Sequence, residues 1–356
     1  MYEFIIIGAI FVAYLFSYGM NAALSKIPLQ NIRLIFPLCI VLVLSLLSEL
    51  FSWVFNDAIS LIIFIMFLPT AGIFTMIPFI EPYLKNRRIS SIITAGSILF
   101  TVIFFLFQFS GLEPGGAPSI LIPFNETMPV FSIFLIYYFE FCIITAVFLG
   151  GLIISRKILK IDQINKYHLL ATIALLVFSY FLLQSLIVGI LAVFVYTMIR
   201  GHTRNLALPL VLLLVSIISA IIFVYPLSDR WVGGISEYYS YSVLTLGVAA
   251  PSMVAVIPLF ERFSRMKREW EIPVFLVSSI GVSVLALPGS GYDIPAVITR
   301  AVSIITSGIQ QASKISFDSG FVYCIFLIVG SVIITTVLYG ICALFMTYRR
   351  VQEVQD

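Results

Sequence analysis

Charge is what this chain has least of: only 10% of its 356 residues are Asp, Glu, Lys or Arg. Soluble domains carry about 25%, and disordered chains are more polar still, so both classes are excluded. Histidine is nearly absent, with two residues, His168 and His202. Cysteine is sparse. Cys39, Cys142, Cys324 and Cys342 all fall inside apolar runs and form no C-x-x-C pair, so they are expected to be packing thiols. The chain has no H-E-x-x-H, G-x-S-x-G, G-x-G-x-x-G or Walker A motif and no acidic cluster suited to Mg²⁺. Its polar loops are too short to hold a catalytic domain. We expect no enzyme activity carried by this chain alone, and no cofactor or metal. The net charge of +3 gives no basic face for nucleic acid.

What fills the sequence instead is apolar: 61% hydrophobic residues, with a mean hydropathy of +1.13. The runs are continuous and near the 20 residues that a helix needs to cross a bilayer. They lack the short alternating segments of a membrane β-barrel. The expected fold is all-α: a polytopic helical membrane protein of about 10–11 spans. The spans fall near 2–24, 32–55, 58–82, 89–111, 129–155, 168–199, 206–227, 241–262, 272–289 and 320–347. The first lacks a basic n-region and exceeds an h-region in length, so it reads as a retained span.

The sixth run is too long. As one helix, 168–199 would measure about 50 Å against a hydrocarbon slab near 30 Å. It reads either as a strongly tilted helix or as a hairpin turning near Gln184-Ser185. Basic residues gather in cytoplasmic loops, which discriminates. With a hairpin and the N-terminus outside, 17 Lys and Arg lie inside and only Arg230, Arg300 and Lys314 outside. One unbroken span reduces that to 12 against 8. The hairpin is favoured, with the C-terminus cytoplasmic. The single N-x-S/T sequon, Asn125-Glu126-Thr127, then lies in an outer loop and is a possible glycosylation site.

The chain also repeats itself. Ile77-Pro78-Phe79-Ile80-Glu81, followed by Tyr83, Lys85, Arg87 and Arg88, matches Ile257-Pro258-Leu259-Phe260-Glu261, followed by Phe263, Arg265, Lys267 and Arg268, at an offset of 180. Ile143-Ile144-Thr145-Ala146-Val147 with Gly150 matches Ile333-Ile334-Thr335-Thr336-Val337 with Gly340, at 190. Pro37-Leu38 matches Pro209-Leu210 at 172. The matches are collinear and the offset grows smoothly, as loop insertions would make it. Both basic tails must lie inside, so the halves are two parallel five-helix repeats, which requires one extra helix between them. The expected division is 1–157 for the first repeat, 158–183 for the linking helix and 184–356 for the second.

Ionisable groups inside a membrane are costly and often functional. Glu140 sits near mid-depth of its span, within Tyr137-Tyr138-Phe139-Glu140. It reads as a proton, cation or headgroup site, or as a protonated side chain bonded between helices. Glu49 lies in the outer third of its span. Glu81 and Glu261 sit at inner interfaces, where each can pair with its own Lys or Arg. Pro78 and Pro258 leave backbone carbonyls unpaired just before them, which allows a kink. The two histidines are expected to be solvated on inner loops and not haem ligands, which in membranes are usually axial His within spans. Outside, residues 113–129 form a loop rich in proline and glycine. Residues 294–311 place Ile294, Val297, Ile298, Ala301, Ile305 and Ile309 on one helical face, suited to the membrane surface or to an external partner.

The Ile-, Ser-, Phe- and Tyr-rich composition, the very short loops, the outward sequon at Asn125 and the absence of intramembrane His resemble archaeal respiratory membrane subunits. The nearest likeness is the hydrophobic integral-membrane component of the archaeal cytochrome b558/566 respiratory complex. The resemblance covers the chain in composition and topology and transfers no functional residue. It implies a cell-membrane, multi-pass scaffold or quinol-side subunit without a redox centre of its own. Its partners would be membrane lipid and other membrane or externally exposed subunits, among them a glycosylated haem cytochrome. The alternative is a secondary transporter for a neutral or lipid-like substrate, since transporters are commonly built from repeats.

Overall fold

The computed structural model describes residues 130–159, 166–182, 185–200, 205–224, 247–263, 270–286 and 319–355, with Val43, Ile304 and Ser307. Among these, 96% are helical and none is a strand. We label the helices α1 (Val130–Leu159), α2 (Lys166–Phe181), α3 (Ser185–Ile199), α4 (Leu208–Val224), α5 (Ile257–Phe263), α6 (Glu271–Ala286) and α7 (Ser319–Gln355). A further helical segment, 247–255, precedes α5. The chain divides into two compact units, Met1–Leu149 and Gly150–Asp356, with the boundary inside α1.

Local chemistry sets several helix ends. Asn205 opens α4: its Oδ1 accepts the Ala207 N–H at 3.0 Å, and its carbonyl accepts the Leu208 N–H at 3.1 Å. Pro209 follows in the first turn, where a missing N–H costs no helical bond. Glu271 opens α6, placing an acid at the positive end of the helix dipole. Before α5 the helix breaks at Val256, two residues ahead of Pro258. Pro258 has no N–H to give back along the helix. The N–H groups of Leu259 and Phe260 both turn to the Val256 carbonyl, at 3.2 and 3.4 Å. The helical pattern is thus interrupted just before Pro258, where the sequence allows a kink; the counterpart at Pro78 lies outside the described residues.

The long sixth run is two helices. α2 ends in a turn at Leu182, whose N–H bonds the Phe178 carbonyl at 2.9 Å, and α3 begins at Ser185. Two adjacent glycines of α1 report how they lie. A Cβ on Gly150 would collide with the Ile190 carbonyl, while one on Gly151 would stand 3.6 Å from Leu176. Along one unbroken helix Leu176 and Ile190 would be about 21 Å apart at 1.5 Å per residue. Touching neighbouring glycines, they must lie at the same level, so the chain folds back between α2 and α3.

α1 and α2 run antiparallel, because Gly151 meets Leu176 and Thr172 while Ser155, one turn later, meets Thr172 and His168. α6 packs against both α3 and α7, α7 also packs on α4, and α5 touches α4. Gly189 of α3 lets the backbones approach: a Cβ there would stand 3.1 Å from Phe275 O and Leu276 Cα. Further along α3, Tyr196 stacks on Phe275, ring centroids 5.6 Å apart. Gly189 also meets Ser279, one turn beyond Phe275, so going from Gly189 to Tyr196 on α3 goes back from Ser279 to Phe275 on α6, and these two are antiparallel as well. Phe260 of α5 meets Tyr339 of α7 at 4.8 Å.

Two helical stretches are long and apolar enough to cross a membrane: Cys142–Leu159 in α1, of 18 residues, and Cys324–Met346 in α7, of 23 residues. One face of α7 is apolar and exposed, while its buried face mixes polar residues with Cys324, Leu327 and Ile328. Ile325, Val329, Ile333, Val337, Ile341 and Phe345 are all exposed, four residues apart. Ser331, Thr335 and Tyr339 are buried. α4 repeats the pattern, with Leu210, Val211, Leu214, Ile217 and Ile218 exposed and Ser216 buried.

Candidate functional site

Within the unit Gly150–Asp356 several polar groups are buried among the apolar side chains. Between α1 and α2, Ser155 Oγ and Thr172 Oγ1 lie 2.9 Å apart, and Thr172 donates to the His168 carbonyl at 2.7 Å. Between 247–255 and α4, Ser252 donates to Ser216 at 2.9 Å. Most helical hydroxyls are also satisfied by a carbonyl one turn back, which keeps them neutral in an apolar interior. Ser179 bonds Leu175 O at 2.7 Å, Thr197 bonds Val193 O at 2.8 Å and Ser331 bonds Leu327 O at 2.6 Å.

Among the described residues, three Ser and Thr hydroxyls depart from this rule. Thr145 Oγ1 of α1, Ser278 Oγ of α6 and Thr335 Oγ1 of α7 are buried and make no hydrogen bond. All three residues are 0% exposed. Thr145 and Thr335 occupy the same position of the repeated Ile-Ile-Thr sequence. Of the three matched sequence pairs, this is the one whose two members both lie among the described residues.

Two ionisable residues are more enclosed than expected. His168, read from sequence as a solvated loop residue, is 0% exposed in the first turn of α2. The correction has a plain cause: α2 begins at Lys166, two residues before the apolar run, and α1 packs along its first turns. His202 lies outside the described residues. Glu271 was not singled out from sequence, yet it is 1% exposed. Glu271 lies one turn before Phe275, whose ring meets Tyr196 of α3. A signal existed in Glu271-Ile272-Pro273, where an acid and a proline open an apolar run.

The expected site residues fare unevenly. Glu140 lies on the helical backbone of α1, and its side chain is outside what is described. Glu261 lies in α5, partly buried. Glu81 and Asn125 lie outside the described residues. Of 294–311, Ile304 and Ser307 are described, both helical and exposed. Cys142 and Cys324 are buried and Cys342 is half-buried, none of the three in a disulfide. Cys39 is not among the described residues. No group of three or more His, Cys, Asp and Glu able to hold a metal occurs among the described residues. Compared with protein-family models, curated proteins and solved structures, the chain matches none.

Proposed function

We propose that the chain is a multi-pass integral membrane protein serving as a scaffold within a larger membrane complex. The observation that carries the membrane part is the back of α7. Its exposed stripe from Ile325 to Phe345 covers about 30 Å at 1.5 Å per residue, the thickness of a bilayer's hydrocarbon core. In water such a stripe would be an aggregation surface; against acyl chains it needs no cover. The hydroxyls on the opposite face suit helix association in lipid, where small and polar residues take the helix interface.

The antiparallel pairs α1–α2 and α3–α6, and the fold-back between α2 and α3, agree with eleven spans in the orientation favoured by basic residues. On that topology Arg156, Lys157, Lys166 and Arg200 share the inner face, with the N-terminus outside and Asn125 available for glycosylation. The parallel duplication remains part of this reading, supported by the burial shared by Thr145 and Thr335.

The complex we favour is respiratory, of the archaeal b-type cytochrome kind, with the redox centre on a partner and none on this chain. The support is the resemblance in composition and topology. A gentle-detergent pull-down from native membranes, with mass spectrometry and a reduced-minus-oxidised spectrum, tests it. A co-purifying haem protein is expected. A colourless protein recovered alone would overturn the complex and favour a transporter of a neutral or lipid-like substrate, for which Glu140 is the first residue to examine.

A further inference from the structure

The outer face of α2 changes character along its length. α1 packs on the opposite side, against His168, Thr172 and Leu176. At about 100° per residue, positions 166, 170, 173 and 177 follow one line turned away from α1, with 167 and 178 beside it. Tyr167, Leu170, Ile173, Val177 and Phe178 are all exposed, Leu170 at 66%. From Leu170 to Phe178 this apolar stripe is about 12 Å long. One leaflet offers roughly 15 Å, half of a hydrocarbon core near 30 Å.

The end of the stripe is basic. Arg156 and Lys157 lie in the last turn of α1, and Lys166 is the first residue of α2. The two ends are at one level, because Ser155 donates to the His168 carbonyl at 3.4 Å. The charge of Arg156, the next residue, acts on the His168 ring. Between 156 and 168 the sequence carries four Lys and Arg against a single acid, Asp162. Both helix ends belong to the unit Gly150–Asp356. On the membrane reading above, on which this inference rests, the basic end lies at the inner face and the stripe runs from it into the bilayer. Tyr167 stands at the junction, the level at which tyrosine is enriched in membrane proteins.

We propose that this end of the α1–α2 pair binds an anionic phospholipid of the inner leaflet. Arg156 and Lys166 supply the positive charge for its phosphate, and an acyl chain lies along Leu170, Ile173, Val177 and Phe178. The surface is complementary to such a molecule in charge and in length. A partner helix would answer the apolar part alone and would need an acid of its own at the level of the cations. A phospholipid brings the anion and the tail joined in that order. Basic residues at the cytoplasmic ends of membrane helices bind anionic headgroups for the same reason, and arginine can pair two phosphate oxygens at once.

The test uses the full chain in detergent micelles containing equal amounts of phosphatidylglycerol and phosphatidylcholine, with the retained phospholipids counted by native mass spectrometry. The parent is expected to retain phosphatidylglycerol in preference. Arg156→Gln and Lys166→Gln each reduce that preference about fivefold, the equivalent of about 1 kcal/mol for each basic residue near an anionic lipid surface. Lys166→Arg keeps it. Arg349→Gln, near the end of α7 and on the inner face in the same topology, keeps it as well. Absence of a preference in the parent overturns the proposal. So does an equal loss in Arg349→Gln, which is the response of general surface charge. A photoreactive residue in place of Ile173, irradiated in native membranes, needs none of these variants to fold. Phospholipid adducts are expected there; a discrete protein adduct overturns the proposal and gives the face to a partner subunit. Alkaline extraction of native membranes checks the underlying reading separately. A chain released by that treatment is not integral, whatever lipid it retains.

Discussion

At the scale of single residues, close packing outweighs hydrogen bonding. Gly189 faces backbone atoms of α6, Phe275 O and Leu276 Cα, both at 3.1 Å from a would-be Cβ. Backbone cannot swing aside as a side-chain tip can, so the two helices would have to separate. Gly189→Val is expected to lower stability by about 1–3 kcal/mol, the usual cost of overpacking, read from a melt in nanodiscs. Gly340 has no atom within 4 Å of its would-be Cβ. Gly340→Ala is expected to be harmless or slightly stabilising, because alanine is the better helix former. Ser155→Ala should cost about 0.6 kcal/mol, the average for a hydrogen bond between membrane helices. The loss stays small because Thr172 keeps its bond to the His168 carbonyl. For Glu140→Gln we expect intact folding and activity if the residue is structural. Loss of activity in a well-folded variant would assign it the functional role.

At the scale of elements, proline placed one break, and helix pairing placed the levels. The Pro258 interruption is the clearest case, since the missing N–H and the pyrrolidine ring both act on the preceding turn. Pro258→Ala restores a donor and should join 247–255 to α5 as one helix. Slower hydrogen exchange at residues 256–260 is the expected readout. Unchanged exchange there would mean that packing, and not proline, sets the break. The fold-back between α2 and α3 could be expected from sequence through length and charge. The proof of level needed Gly150 and Gly151, whose neighbours lie on different arms of the hairpin. The early start of α2 escaped the sequence reading for a related reason. Hydropathy marks where a run becomes apolar, whereas a helix can begin in the polar residues before it, and His168 was enclosed as a result.

For the whole molecule, the proposed topology makes definite claims about sides. Single cysteines introduced at Asn125 and at Arg200, in a background without native cysteines, should react from opposite faces of right-side-out vesicles. Asn125 should be labelled by an impermeant maleimide and Arg200 only after permeabilisation. Labelling of both positions from one side would reject the eleven-span arrangement. The same experiment at Gln184, expected outside with Asn125, separates the hairpin orientation from its reverse. The inner face would then carry Arg200 together with the basic ends of α1 and α2.

Composition by itself pointed to the all-helical class: with 10% charged and 61% hydrophobic residues in long continuous runs, helices satisfy the backbone within each run. The length of 168–199 and the distribution of lysine and arginine also pointed to a hairpin, because both are properties of the chain order. The tertiary structure alone decided which residues are enclosed. Ser, Thr, His and Glu are buried or exposed according to what the neighbouring helix brings to their level, and hydropathy contains no information on that partner. Glu271, His168 and the unsatisfied hydroxyls of Thr145, Ser278 and Thr335 became visible only when the helices were set side by side.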